Sequence, residues 1–152
     1  MIEAIFRWLG ATPIGGFMRE STWGFAIVET IHLLALAALG GAVLAINLGA
    51  ARVLFRRGDA AAVATGAAPV LRIALGVTIV SGVLLVSSKP VRYYLDPTFR
   101  AKMVLLLLAA LSSLIVQRLT DEPASNAARA VALLSLALWL GVGVCGRMIG
   151  FL

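Results

Sequence analysis

Residues 22–51 read TWGFAIVETIHLLALAALGGAVLAINLGAA, with no Lys or Arg and a single carboxylate, Glu29. A helix crosses the hydrocarbon core of a bilayer in about 20 predominantly apolar residues, so this stretch is long enough to span a membrane with turns to spare. Ser21-Thr22 in front of it are helix-capping residue types. Arg52, Arg56 and Arg57 behind it mark an exit from the bilayer.

Three further apolar runs follow. One covers about 69–88, with Pro69 at a helix start and Arg72 in its first turn; the next covers 97–118, opened by Asp96-Pro97, a cap followed by proline at the first helical position. The last covers 126–150, with Trp139 inside it and Arg147 near its end. The expected fold is all-α, an integral membrane four-helix bundle occupying residues 21–152, with spans at about 22–51, 69–88, 97–118 and 126–150. Residues 1–20 form a separate segment. Ile2, Ile5, Phe6 and Leu9 share a helical face, and Glu3 and Arg7 stand four apart off it, before Pro13 and Gly15-Gly16 break the pattern. This predicts a short interfacial amphipathic helix with Trp8 at headgroup level. It does not read as a secretory signal, because Glu3 and Arg7 interrupt the apolar run and no small-residue cleavage site follows.

Composition points the same way. Of 152 residues, 61% are hydrophobic and 13% charged, with a mean hydropathy of +1.02, and that charged share is about half of what soluble domains carry. The net charge is +6, but Lys and Arg sit in loops or near span ends, where they set topology and meet anionic lipid. The bilayer is therefore the expected partner, and nucleic acid is not. Four spans put both termini and the 89–100 connection on one side, side A, and the 52–68 and 119–125 loops on the other, side B. About seven basic residues lie near side A and about six near side B, so charge bias leaves the orientation open. The lone Cys145 excludes an intrachain disulfide and a CxxC metal pair. Gly76, Gly82, Gly141, Gly143, Gly146 and Gly150 are expected packing sites between helices or subunits, which favours a homo-oligomer.

Ionisable groups inside hydrocarbon are costly and mark pairing or function. Glu29 and His32 lie three apart, Lys102 about five residues into the third span, and Arg147 about four residues before the end of the fourth. At 1.5 Å per residue, His32 sits roughly 12–15 Å in from side A; the Lys102 Cα sits roughly 7–8 Å in and its side chain reaches about 6 Å further. Both nitrogens can meet at one level, and Leu106, Ala109 and Ser113 behind Lys102 would leave room beside them. Histidine is a preferred axial ligand of haem iron, and helix bundles build cofactor sites from inward-facing side chains. With one histidine in the chain, the sixth ligand would be Lys102, Met103, Met148, Cys145 or a second subunit's histidine.

Each residue has a plainer reading. His32 can be a neutral histidine bonded to Glu29 or to a carbonyl, Lys102 a snorkelling residue, and Glu29 the ion-pair partner of Arg147 or Lys102. Arg92, Tyr93 and Arg100 fit either interfacial anchors or a clamp on haem propionates. Asn47 is expected to hydrogen-bond between helices near side B, and Trp139 to face lipid or pack in the core.

The stretch ETIHLLALAALGGAVLAINLGAARVLFR (29–56) resembles the start of the HemJ-type protoporphyrinogen oxidases, where a tryptophan-containing run leads to a histidine, an aliphatic stretch with glycine and an arginine-rich exit. FRAKMVLLLLAALSSLIVQR (99–118) resembles that family's lysine followed by an aliphatic run. The pattern is also similar to copper-resistance D-type membrane proteins. It is similar too to a group of small bacterial four-helix membrane proteins, whose recurring features correspond here to Trp23, Glu29-Thr30-Ile31-His32, Lys102 and Gly146-Arg147. The resemblance covers most of residues 22–120. It departs where Ser112, Ser113 and Gln117 stand in place of a polar, histidine-containing helix end.

What the resemblance implies is haem b held by His32 and Lys102, with a quinone or porphyrin as substrate, in the bacterial inner (cytoplasmic) membrane. Glu29 and Arg147 would tune the site as its catalytic residues, and Arg92 and Arg100 would meet the propionates. The expected function is redox or electron transfer, with HemJ-like porphyrinogen oxidation as one form of it. Two other classes stay open at this stage: a small transporter like the copper-resistance D proteins, and a non-catalytic membrane subunit of a larger complex. Soft-metal transport favours Cys and Met clusters, of which the chain offers only Cys145, Met18, Met103 and Met148 beyond its first residue.

Overall fold

In hydrocarbon each backbone N–H and C=O must be satisfied within the chain, so long apolar runs without β-barrel patterning fold as helices. The structure, a computed structural model, describes residues 2–53, 57–119 and 125–150. Its elements are α1 (Ile2–Ala11), α2 (Pro13–Glu20), α3 (Thr22–Ala50), α4 (Arg57–Ser88), α5 (Pro90–Leu95), α6 (Pro97–Leu119) and α7 (Asn126–Ile149). Helices α3, α4, α6 and α7 are each long and apolar enough to cross a membrane. The chain is thus an all-α, multi-pass four-helix bundle. The 119–125 loop and Arg56 of the expected bilayer exit fall largely outside the described residues.

Helix boundaries follow local chemistry. Ser21 Oγ accepts from the Gly24 N–H at 3.0 Å and Ser125 Oγ from the Ala128 N–H at 3.0 Å, while Asp96 Oδ1 accepts from the Thr98 N–H at 2.8 Å. Helix α3 ends on Arg52 in the left-handed region, φ 57°. The Val53 N–H reaches Leu48 O (3.1 Å) and the Arg52 N–H reaches Gly49 O (3.0 Å), the paired bonds of a Schellman stop.

Three elements differ from the sequence reading. Helix α4 starts at Arg57, not at Pro69, which lies inside it. The intervening DAAAVATGAA segment is rich in alanine, the strongest helix former, and Pro69 is exposed, so its missing N–H leaves the Thr65 carbonyl on an outer face. Pro13 does not end helical structure but opens α2, whose cap Thr12 accepts from the Gly15 N–H at 3.1 Å. Within the 89–100 connection, Pro90 likewise starts the single-turn α5.

The spans form two hairpins, α3 with α4 and α6 with α7, which meet mainly through α3 against α7 and α6. Leu39, Val43, Ile46, Leu71, Ala132 and Val116 make the buried centre. Two hydrogen bonds tie α6 to α7, Ser112 Oγ to Ser135 Oγ at 3.0 Å and Trp139 Nε1 to Ser113 Oγ at 2.9 Å. Such bonds average about 0.6 kcal/mol in membranes. Helix α4 packs closely on α3 but hardly touches α6 or α7, so α3 stands between α4 and the α6–α7 hairpin. Asn47 departs from expectation: buried at 1% exposure, it donates to Val43 O of its own helix at 2.8 Å, and its Oδ1 has no partner. Helices α1, α2 and α5 cap side A. Phe6 leaves the expected apolar face of α1 to stack with Tyr94 (5.4 Å) and Phe99 (6.2 Å), while Ile5 and Trp8 stay exposed.

Candidate functional site

His32 projects from α3 toward the third turn from the end of α4. Its Nδ1 lies 2.8 Å from Ser81 Oγ, and Ser81 is buried. Small-residue spacing permits the approach: a Cβ at Gly82 would stand 3.3 Å from His32 Cε1, tighter than the ring comfortably allows. The Ser81 hydroxyl also lies 2.6 Å from the Val77 carbonyl. When its single hydrogen goes to that carbonyl, Ser81 faces the ring as an acceptor, Nδ1 carries the proton and Nε2 holds an unshared lone pair. A histidine ordered through Nδ1–H with Nε2 free is the arrangement metal-ligating histidines use.

Lys102 comes from the first turns of α6 and is seated against α7. Its Nζ lies 3.4 Å, and its Cε 3.6 Å, from where a Cβ of Gly146 would be, so a side chain extending beyond Cβ there would displace the amine. Among the described residues Lys102 has no hydrogen bond or ion pair. Its charge is near enough to act on His32, and the Cys145 thiol near enough to act on Lys102. His32 with Ser81 and Gly82, and Lys102 beside Gly146, thus form two seats in one neighbourhood. One turn before Ser81, the buried Thr78 Oγ1 has no partner.

The other expected site residues are placed differently. Glu29 is exposed and forms no ion pair with Arg147 or Lys102; the group it acts on is the Tyr93 hydroxyl. Three residues along a helix leave it on the rim, clear of the His32–Ser81 contact. Arg147 is exposed in the last turn of α7. Arg92 lines two neighbouring clefts at side A, whereas Arg100 lines neither, so the two guanidinium groups do not converge on one cleft. The room expected behind Lys102 is filled: Ala109 is fully buried, and Ser113, 3% exposed, is taken by Trp139. Tyr93, half-buried against Phe99 at 5.6 Å, has its pKa raised by burial, an effect Arg92 opposes and Glu29 and Asp96 reinforce.

Sequence reasoning missed Ser81. Its hydroxyl bonds its own helix, as those of Ser87 and Ser88 do, and only the fold singles it out. Gly82 and Gly146 were legible as close-packing positions, though not as seats for His32 and Lys102.

No group of three or more His, Cys, Asp or Glu residues able to hold a bare metal ion exists among the described residues. No curated protein and no solved structure matches the chain. Residues 5–152 match the model of DUF6644, a family of unknown function, and with nearly its whole length covered the chain belongs to that family.

Proposed function

We propose that this protein binds haem b at His32 of α3 and Lys102 of α6 and serves membrane redox chemistry, as the likeness to HemJ-type oxidases implies. The observation that carries the reading is the contact of His32 Nδ1 with Ser81 Oγ at 2.8 Å, which leaves Nε2 available as a donor atom, with Lys102 on a second glycine seat. These residues fit the group in their donor chemistry: among the described residues neither His32 Nε2 nor Lys102 Nζ has a hydrogen-bond partner. The orphaned Thr78 Oγ1 adds a polar atom awaiting a partner beside them.

In this reading His32 Nε2 and Lys102 Nζ would hold the iron. Bound haem would supply one-electron chemistry. The chain's own contribution is to orient the imidazole, exclude water with the surrounding apolar residues, and offer Glu29 at the rim as a proton acceptor for a substrate such as a quinol or porphyrinogen. Arg92 at side A is the guanidinium available to a propionate, with Arg100 further out. The bacterial inner membrane is the setting this function fits, and the outward-facing Gly76 and Gly143, which have nothing within contact distance, favour a homo-oligomer.

The test is titration of haem b into detergent-purified apoprotein, comparing wild type with His32→Ala and Lys102→Ala. Saturable binding with a shifted Soret band, lost in the first variant and altered in the second, supports the reading. Equal, non-saturating uptake by all three proteins overturns it.

A further inference from the structure

The basic residues of side A are not dispersed as interfacial anchors would be. Arg7 of α1, Arg19 of α2, Lys89 at the end of α4 and Arg92 of α5 line one cleft of about 440 Å³, and no carboxylate is among its lining residues. A second cleft of about 330 Å³ shares Arg19, Lys89 and Arg92 with it. The first volume lies in the range of small-ligand sites, about 300–1,000 Å³.

The cleft is built rather than accidental. Arg19 is fixed by two backbone carbonyls, Nη2 to Gly10 O at 3.2 Å and Nη1 to Ser88 O at 3.4 Å, and so joins α1, α2 and α4. The approach of α1 to α5 is equally close: a Cβ at Gly10 would lie 2.6 Å from Pro90 Cγ. Arg7 engages Glu3 through Nε and Nη2, leaving Nη1 open. Among the described residues Glu3 pairs with Arg7 alone, so the cations along the cleft outnumber that one carboxylate, and a multiply charged oxyanion, for which guanidinium forks are suited, relieves the excess.

Position identifies the source. The cleft lies where α4 leaves its apolar stretch, and the exposed Ile5 and Trp8 of α1 stand beside it, as residues at headgroup level do. We infer that this cleft is a binding site for the phosphate of an anionic lipid headgroup, held by Arg7, Arg19, Lys89 and Arg92. Arg7, Arg19 and Lys89 take no part in the haem reading, Arg92 alone being named in both, so the site does not depend on haem.

The experiment uses the full-length protein in a neutral detergent, with phosphatidylglycerol, phosphatidylcholine or inorganic phosphate added, read by native mass spectrometry and thermal unfolding. Arg7→Gln/Lys89→Gln is the test variant, since both side chains are exposed and neither fastens the helices; unchanged helical circular dichroism shows that it folds. Phosphatidylglycerol is expected to remain bound and raise the unfolding midpoint while phosphatidylcholine does not. At about fivefold per basic residue near the surface, the double variant binds about thirtyfold more weakly. A midpoint shift with inorganic phosphate alone that the variant abolishes would retain the phosphate site and assign it to a soluble phosphate. Equal retention of both lipids, or undiminished phosphatidylglycerol binding by the folded variant, overturns the site.

Discussion

Replacing Ser81 by alanine tests the relay that orients His32. In the Nδ1–H form of His32 the substitution removes the oxygen, 2.8 Å away, that accepts that hydrogen, from a residue 4% exposed. The Val77 carbonyl loses little, because the backbone N–H of residue 81 still reaches it within α4. The imidazole loses its acceptor. A buried donor left unpaired costs about 1–3 kcal/mol, and the nearby Thr78 carbonyl, which already acts on the ring, keeps the expected loss near the lower end, about 1 kcal/mol. Freed from Ser81, the ring can reorient or adopt the other tautomer, and losing a partner that orients a ligand lowers affinity by about 10–100-fold. Ser87→Ala is the control, since Ser87 is equally buried but its hydroxyl bonds only Leu84 O of its own helix. Nitrogen-15 NMR of histidine-labelled apoprotein reads the tautomer, and haem titration reads the affinity. A protonated Nε2 in the wild type, or Ser81→Ala and Ser87→Ala binding haem equally well, would refute the reasoning.

Three other substitutions probe different parts of the molecule. Gly146→Leu puts a branched side chain where Lys102 Nζ now lies 3.4 Å from the Cβ position; overpacking of this kind costs about 1–3 kcal/mol, and denaturant unfolding in micelles should show it, with Gly143→Leu, on an open face, nearly neutral. Arg52→Gly relieves a left-handed residue at the end of α3 and should raise stability by up to about 1 kcal/mol; a lower unfolding midpoint would contradict that helix stop. Tyr93 is held in its neutral form by burial, so its pKa in the fold lies above the ordinary 10.0. Its contribution is fully present below pH 10 and is lost as pH rises from there towards the folded value; Tyr93→Phe should flatten that alkaline loss in a series of unfolding midpoints, and an unchanged slope would count against it.

Much of the fold was legible because membrane spans advertise themselves: residues 22–51 could be little else once the bilayer's thickness was compared with their length. What the sequence hid was decided by context. Pro69 reads as a helix start from its dihedral preference, yet ten alanine-rich residues before it carry α4 past it. Pro13 reads as a break and residues 89–100 as a connection, yet Pro13 and Pro90 each open a short helix at side A. At the site, depth arithmetic placed His32 and Lys102 at one level, because rise per residue is fixed. It could not say which serine would meet the ring, nor that Glu29 would be turned to the rim, because those depend on how far each helix is rotated about its own axis.

The account rests on haem held by His32, and the visible absorption spectrum of protein expressed with haem supplied, purified in detergent and recorded oxidised and dithionite-reduced, tests it most directly. A Soret band with reduced α and β bands in the wild type, absent from His32→Ala of equal helicity, is the predicted result. A colourless wild-type protein, or a spectrum that His32→Ala leaves intact, would contradict it.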